Sequence, residues 1–266
     1  MRTALITGAS AGLGAAFARQ MAARGWALAL TARRADRLDQ LRAEIEAGYG
    51  VPVSTFPLDL SAPGAAQDLF DQVGAAGLRP AALINNAGFS RTEGFARTPW
   101  PRHEAMVRLM LEAPLALSHL CLPAMKAEGF GRILNVCSLA GFMPATGGDT
   151  LYGPIKSFLI KASMGLHMEV REHGIHVSAL CPGYVLTEFH DANGSREQVS
   201  AAYPAFMWMS AEDVVRQGLE ALEANRPVQI PGRINSAIAG IVRALPDSWG
   251  LALAARHARR LGRAQS

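Results

Sequence analysis

The sequence predicts a doubly wound α/β fold, in which one parallel sheet of about seven strands carries helices on both faces. Strand-like apolar runs alternate with helix-like segments through residues 1–232. The predicted strands are continuously apolar and do not alternate between apolar and polar residues, which is typical of parallel strands buried on both faces. A chain of 266 residues, 50% hydrophobic and 18% charged, can bury the core of one large sheet, and this composition excludes extended disorder.

Each predicted strand or helix has a local signal. The first strand runs directly into a Gly-rich turn, after which apolar residues recur at helical spacing until Gly25. Ser61 and Ser210 precede later helices as predicted N-caps. The predicted strands span residues 3–7, 26–31, 51–56, 81–85, 132–137, 175–181 and 228–231. The later predicted helices span 36–46, 61–74, a long stretch from Thr98 that Pro114 and Pro123 interrupt, 151–173 and 211–225.

The net charge of the chain is concentrated near its C-terminus. Of 26 basic and 22 acidic residues, six arginines and one acid, Asp247, lie from Arg233 onward, which leaves residues 1–232 with 20 basic and 21 acidic residues. A general nucleic-acid surface is therefore disfavoured, although the formal charge of the whole chain is +4. We interpret residues 1–232 as one domain and residues 233–266 as a basic amphipathic helical extension of it.

The run TGASAGLG, residues 7–14, predicts a phosphate-binding turn between the first strand and the first helix. Bare backbone at Gly8, Gly12 and Gly14 lets a pyrophosphate approach, and the helix N-terminus supplies N–H donors with a favourable dipole. No Lys follows the last glycine, so the turn is not a P-loop. The alternative is a tight turn that only packs the helix on the sheet.

Four motifs in order make the sequence resemble one enzyme family. They are the N-terminal glycine-rich run, NNAG at residues 85–88, YxxxK at 152–156 and PG at 182–183. Together they resemble the classical short-chain dehydrogenases/reductases. The resemblance covers residues 1–232 and implies a Rossmann-like catalytic domain with a nicotinamide cofactor. It also implies an oxidoreductase that interconverts a carbonyl and an alcohol on a small molecule, and a homodimer or homotetramer.

The resemblance further implies which residues bind the cofactor. The glycine-rich turn would hold the pyrophosphate, Asp59 would contact the adenine, and the backbone of Val185 would bond the nicotinamide carboxamide. Asp59 could instead merely precede a helix cap at Ser61. The full implied set is Gly8, Ser10, Gly12, Leu13, Gly14, Asp59, Leu60, Asn86, Ala87, Gly88, Tyr152, Lys156, Pro182, Gly183, Val185 and Thr187.

The residues after the second predicted strand indicate the type of dinucleotide. An acid at this point would hold a ribose 2′-hydroxyl, but the sequence has Arg33 and Arg34, whose guanidinium groups suit a 2′-phosphate. We therefore expect NADP(H) rather than NAD(H). The alternative is that the two arginines form a solvated helix entry.

Tyr152 and Lys156 form the predicted catalytic pair. Their i, i+4 spacing near the start of a predicted helix places both side chains on one face, and an adjacent ammonium favours the phenolate form of a tyrosine. In the reductive direction Tyr152 would protonate the carbonyl oxygen, and Lys156 would also bond the nicotinamide ribose. By the same resemblance, Ser138 is the hydroxyl that polarises the substrate oxygen. The alternatives are an exposed surface pair and a serine that only ends its strand.

Two features depart from the family pattern. The gap from Ser138 to Tyr152 is one residue longer than the commonest spacing, and we expect the loop 147–149 to absorb it. Met110 stands where the family usually has an asparagine that helps hold a water in a proton relay, which a thioether cannot do. Either a backbone carbonyl and water suffice, or turnover is slowed, or the protein is a noncatalytic or weakly active NADP-binding scaffold.

Apolar residues around the predicted site favour a hydrophobic substrate over a sugar phosphate. Residues 188–209 form an irregular aromatic stretch before the last helix of the domain, where a substrate lid would sit. A helix packed on the core would have the same composition. The residues concerned are Phe89, Phe95, Phe142, Met143, Phe189, Tyr203, Phe206, Met207, Trp208 and Met209.

Cysteine and histidine usage favours a cytoplasmic protein without a metal site. The three cysteines lie in apolar stretches without a CxxC pair, and no HExxH motif occurs. No apolar run reaches the roughly 18 uncharged residues that a membrane span requires. The extension at residues 233–266 has two open interpretations: it packs on the core or a second subunit, which we prefer, or it makes peripheral contact with an anionic membrane.

Overall fold

A parallel seven-stranded sheet forms the centre of the protein. The computed structural model describes residues 1–90, 94–144, 150–187, 207–244, 249–250 and 252. The strands are β1 (Thr3–Thr7), β2 (Ala27–Ala32), β3 (Val53–Pro57), β4 (Pro80–Asn85), β5 (Gly131–Val136), β6 (Ile175–Leu180), β7 (Tyr184–Leu186), β8 (Trp208–Ser210) and β9 (Val228–Gln229). The large sheet has the order β3-β2-β1-β4-β5-β6-β9, and its neighbouring strands are all parallel.

This strand order is that of a doubly wound sheet, as the sequence predicted. The chain starts in the middle at β1, runs outward to β3 and returns to place β4 on the other side of β1. Ligands of such sheets bind where the order reverses, outside the carboxyl ends of the central strands. Each predicted strand of the large sheet is confirmed to within a residue or two.

Helices cover both faces of the sheet. They are α1 (Gly12–Ala22), α2 (Ala35–Tyr49), α3 (Ala65–Ala75), α4 (Trp100–Val107), α5 (Ala113–Ala127), α6 (Tyr152–Val170), α7 (Ala211–Glu223) and α8 (Arg233–Ala244). Successive residues of β1 face opposite layers: Ile6 lies in the core layer of Phe17 from α1, and Leu5 lies in that of Leu117 from α5. The predicted two-faced architecture is therefore confirmed.

Two helix signals were misread from the sequence. Ser61 does not open α3, because its hydroxyl and N–H both donate to Asp59, and the helix begins only after Gly64 in a left-handed conformation, with φ +77. Pro114 and Pro123 do not break the long helical stretch. A π-helical turn at Arg108–Glu112 precedes Pro114, and Pro123 lies inside α5. Ser210 does cap α7, since its Oγ accepts from the N–H of Asp213.

A small second sheet was not predicted. Strand β7 pairs with β8 in parallel, with Val185 opposite Met209. The end of the expected lid is therefore a strand beside the 182–187 segment. The expectations for Phe189, Tyr203 and Phe206, for the loop 147–149 and for the tail beyond residue 252 lie outside the described residues.

The stretch Trp100–Ala127 is, within the described part of the chain, long and apolar enough to cross a membrane by length and composition. The stretch contains Arg102, Glu104, Arg108, Glu112 and Lys126, so it is not a run of about 18 uncharged residues, which the sequence lacks. Leu117, Cys121 and Met125 on this stretch are fully buried against the sheet. The face of the stretch that carries these residues is therefore part of the protein core, and 39% of its apolar window is buried.

Candidate active site

The glycine-rich turn closes tightly over the ends of β1 and β4. Gly8 and Gly12 have positive φ values of +65 and +53. A Cβ on Gly14 would lie 2.1 Å from the carbonyl oxygen of Gly8, and a Cβ on Gly8 would lie 2.8 Å from the Cα of Ala87. Side chains at these positions would push the turn away from β4, so the bare backbone expected from the sequence is required here.

Thr7 joins this turn to the NNAG segment, and its role was not predicted from the sequence. Its buried Oγ1 accepts from the N–H groups of Asn86 and Ala87, both at 3.0 Å, and donates to the carbonyl of Ile84 at 3.3 Å. The amide of Asn86 donates in return to the carbonyls of Thr7 at 2.9 Å and Gly8 at 3.2 Å. The sequence signal that could have indicated this role is a hydroxyl residue at the end of an otherwise apolar strand.

The 182–187 segment lies against the other side of the turn. A Cβ on Gly12 would lie 3.1 Å from the Cβ of Thr187. The N–H of Leu139 donates to the carbonyl of Pro182 at 2.8 Å, so this segment is also tied to the residue after Ser138. The structure thus places the predicted pyrophosphate and nicotinamide segments in contact.

Arg34 reaches the glycine-rich turn. Its guanidinium donates to Ser10 Oγ from Nη2 at 3.1 Å and from Nε at 3.4 Å. Arg33 acts on Asp59: burial opposes ionisation of this carboxyl, but two hydrogen bonds from Ser61 and the charge of Arg33 outweigh it and lower its pKa. Arg34 therefore borders the glycine-rich turn, and Arg33 lies near the carboxyl of Asp59.

Two residues of the implied cofactor set serve packing with their side chains. Leu60 is buried in the core on one face of the sheet, and Leu13 packs against the core on the other face. Leu60 could therefore contact a cofactor only through its backbone, whereas the side chain of Leu13 is partly exposed.

Ser138, Tyr152 and Lys156 are placed by adjoining elements. Ser138 follows β5, and its Oγ accepts from the N–H of Ala140 at 3.1 Å, which starts a short 3₁₀ turn. Tyr152 is the first residue of α6, and Lys156 Nζ lies 5.6 Å from the centre of its ring. The sequence-predicted pair therefore shares one face of the helix.

Lys156 is buried, with 5% of its surface exposed, and its Nζ donates to the carbonyl of Val136 at 2.7 Å. Burial lowers the pKa of this ammonium below its ordinary value, and nearby Cys137 and Cys181 oppose the shift. An ammonium held in an apolar surrounding exerts a stronger electrostatic effect on its neighbours than one in water.

Met110 is a core residue at the edge of this site. It is 1% exposed and packs with Met106 and Ile155, and Tyr152 lies against the same cluster. A Cβ on Gly88 would lie 3.5 Å from Met110 Cε. The thioether thus occupies the space between the NNAG segment and α6, inside the π-helical turn.

A buried amide network lies beneath the site and was not predicted. Asn85 Nδ2 donates to Asn135 Oδ1 at 2.8 Å, and Asn135 Nδ2 donates to Ser163 Oγ at 2.9 Å. These bonds join β4, β5 and α6, which carry the surrounding site residues. Among the described residues, no group of three or more His, Cys, Asp or Glu side chains could hold a metal ion.

The chain is similar in sequence to known reductases. The chain is 36% identical over 191 residues to a very-long-chain 3-oxoacyl-CoA reductase of Anas platyrhynchos, covering 70% of this chain and 60% of the relative. It is 33% identical over 220 residues to sulfoacetaldehyde reductase 2 of Chromohalobacter salexigens, covering 79% and 84%. The chain therefore spans about three fifths of the length of the first of these relatives.

Solved structures give the same result for the fold. A short-chain dehydrogenase from Sphingobium yanoikuyae in complex with NADPH aligns with a TM-score of 0.79 at 30% identity, over 92% of this chain and 97% of the other. A 7beta-hydroxysteroid dehydrogenase aligns with a TM-score of 0.85 at 26% identity, over 95% and 96%. The family profile described as short chain dehydrogenase matches residues 2–198. The chain belongs to the short chain dehydrogenase family.

Proposed function

We propose that the protein is an NADP(H)-dependent oxidoreductase that interconverts a carbonyl and a primary or secondary alcohol. The observation that carries this proposal is the Tyr152–Lys156 pair at the start of α6, which is hydrogen-bonded to the end of β5. Family membership and the reductase relatives support the reaction class.

The cofactor proposal rests on two features of the chain. A side chain at Gly8, Gly12 or Gly14 would clash with neighbouring residues, so the turn keeps bare backbone, which can form a cradle for a pyrophosphate. Arg34 lies over Ser10 at the edge of this cradle and suits a 2′-phosphate. The NADPH complex of the Sphingobium yanoikuyae dehydrogenase, at 30% identity, supports the same choice.

In the proposed reaction, residues of the chain would supply a proton to the carbonyl oxygen of the substrate and stabilise the charge on that oxygen. Bound NADPH supplies a hydride to the carbonyl carbon. The Tyr152 hydroxyl donates a proton to the carbonyl oxygen, and the Ser138 hydroxyl donates a hydrogen bond to the same oxygen, which stabilises the charge that develops there. The positive charge of Lys156 stabilises the phenolate form of Tyr152 that remains after the proton is transferred.

A hydrophobic carbonyl compound is the proposed substrate. Phe142 and Met143 lie four and five residues after Ser138, and Phe89 packs in the same cluster as Met110 and Tyr152, so apolar side chains lie near the catalytic groups. The very-long-chain 3-oxoacyl-CoA reductase relative supports an apolar substrate. The exposed Phe95 instead stacks its ring on His103.

The competing proposal is a noncatalytic or weakly active NADP-binding scaffold, and Met110 is the observation that favours it. The two proposals are separated by measuring NADPH and NADH binding and oxidation with a panel of aldehydes and ketones. An enzyme oxidises NADPH in preference to NADH with at least one apolar carbonyl compound. Tight NADPH binding without oxidation across the panel would favour the scaffold.

We also propose a cytoplasmic homodimer or homotetramer. Exposed apolar side chains on α5 and α6, two helices of the same core layer, suit a subunit interface. They are Leu115, Phe158, Met164 and Met168, between 37% and 60% exposed. Light scattering after gel filtration tests the assembly, and Phe158→Asp should shift it to monomers.

For residues 233–266 we retain packing on the body or a second subunit as the main proposal, with residues 1–232 as the catalytic domain. Peripheral contact with an anionic membrane is the second. Sedimentation of the intact protein with vesicles containing anionic lipid separates the two. Absence of binding would contradict membrane contact.

A further inference from the structure

The first turn of α8 carries a buried polar residue with no role in the site described so far. Asn235 is 4% exposed, although it lies in the C-terminal extension. Its Nδ2 donates to the carbonyl of Pro231 at 2.9 Å, which fixes the plane of the carboxamide. The same nitrogen lies 3.8 Å from Met209 Sδ.

The fixed carboxamide of Asn235 lies directly on Gly183. A Cβ on Gly183 would lie 2.7 Å from Asn235 Oδ1, 2.8 Å from Nδ2 and 2.9 Å from Cγ. Such distances leave no room for any side chain at residue 183. Asn235 also contacts the same segment indirectly, through Met209, because Met209 lies opposite Val185 in the β7–β8 pair.

Helix α8 has a second contact near the catalytic groups. The guanidinium carbon of Arg243 lies 5.5 Å from the ring centre of Phe142, four residues after Ser138. One helix of the extension therefore contacts both the 182–187 segment and the segment after Ser138. Helix α8 is in this respect part of the wall of the site.

We propose that Asn235 is a positioning residue for the nicotinamide half of the cofactor. Its carboxamide packs against Gly183, and it contacts β7 through Met209. These contacts fix the backbone of residues 182–185 in the position against which the nicotinamide ring would pack. This inference rests on the proposed assignment of that segment to the nicotinamide end. The adenine half, bound near Arg34 and Ser10, lies away from Asn235 and is not affected by it.

The test compares full-length Asn235→Ala with Ser236→Ala. Ser236 lies in the same helical turn and bonds the carbonyls of Ile230 and Gly232, but it is exposed, which makes it a matched control. Affinities are measured for NADPH and for adenosine 2′,5′-bisphosphate, which contains only the adenine half. We expect Asn235→Ala to weaken NADPH binding by about tenfold and lower kcat, with fragment affinity unchanged and Ser236→Ala like wild type.

A double variant tests the contact itself. Gly183→Ala alone should weaken NADPH binding, because its methyl group meets the Asn235 carboxamide, and Gly183→Ala with Asn235→Ala should recover part of that affinity. Equal loss of NADPH and fragment binding in Asn235→Ala, or no recovery in the double variant, would overturn the inference. Wild-type protein that binds neither molecule would contradict the proposed function itself, and the inference with it.

Discussion

The ammonium of Lys156 donates a 2.7 Å hydrogen bond to the carbonyl oxygen of Val136, the last residue of β5. Ser138 lies two residues beyond Val136, and Tyr152 lies one helical turn before Lys156. This single buried bond therefore connects the strand that carries the serine with the helix that carries the tyrosine. The acceptor is a backbone carbonyl, so only a substitution of Lys156 removes this bond, and such a substitution should alter both the chemistry and the stability of the site.

Lys156→Met should abolish most of the activity and change the pH dependence of stability. Burial lowers the pKa of Lys156, so the folded protein holds this proton less tightly than the unfolded chain. Burying the charged ammonium lowers the free energy of unfolding by its full amount at pH values below the pKa of Lys156 in the folded protein. This destabilisation disappears as the pH rises past the pKa of Lys156 in the unfolded chain, about 10.4. Wild type should therefore gain stability relative to Lys156→Met as the pH rises toward that value.

Unfolding by urea at several pH values measures this difference in free energy. A difference that stays constant with pH would show that the folded and unfolded pKa values of Lys156 are the same. Activity of Lys156→Met should fall by about 10²- to 10⁴-fold, as for other groups that assist proton transfer.

Gly14→Ala should destroy the glycine-rich turn. The new methyl group would lie 2.1 Å from the carbonyl oxygen of Gly8, so backbone must move and NADPH binding should be lost. Gly48→Ala is the matched control, because Gly48 lies in α2 and a methyl group there would have nothing within 4 Å. It should stabilise the fold by about 0.5–1 kcal/mol. Calorimetric titration with NADPH and thermal unfolding of both variants check these outcomes.

Arg34→Ala should weaken NADPH binding and leave NADH binding nearly unchanged. The expected loss is about 10- to 100-fold, the range for charge-assisted hydrogen bonds to a phosphate. Arg37→Ala, an exposed arginine further along α2, should bind both cofactors like wild type. Equal weakening of both cofactors by Arg34→Ala would argue against a 2′-phosphate contact.

Met110→Asn should cost stability without increasing kcat. Met110 is fully buried among Met106, Ile155 and the edge of Tyr152, so an amide there would lack hydrogen-bond partners and cost about 1–3 kcal/mol. Unfolding curves and steady-state kinetics measure the two effects. A clear rise in kcat would instead indicate that the natural enzyme has a weakened proton relay.

The sequence was sufficient for the fold because its signals are local. Continuously apolar strands, the Gly-rich turn and the Tyr152–Lys156 spacing each depend on neighbouring residues, and they predicted the doubly wound class but not the order of the strands. Thr7 and the Asn85–Asn135 bond were missed because they pair residues from different strands, which no periodicity reports. Ser61 was misread because its hydroxyl has two local choices, a helix cap or the carboxylate of Asp59, and it bonds the latter.

The contact between α8 and the 182–187 segment shows the same limit. Asn235 appeared only as one residue of an amphipathic helix, and its partner Gly183 is 52 residues earlier in the chain. The hydrophobic pattern indicated that the helix exists but not where it packs. The position of α8 is evident in the structure from the burial of Asn235, its contact with Gly183 and the contact between Arg243 and Phe142.

Single-turnover oxidation of NADPH by Tyr152→Phe tests the central claim most directly. Tyr49→Phe, at the exposed end of α2, is the control and should behave like wild type. With Tyr152 as the proton donor, the variant should still bind NADPH, because the glycine-rich turn and Arg34 are intact, but should reduce an apolar carbonyl substrate about 10²- to 10⁴-fold more slowly. Reduction by Tyr152→Phe at nearly the wild-type rate would contradict the assignment of this residue as the acid of the reaction.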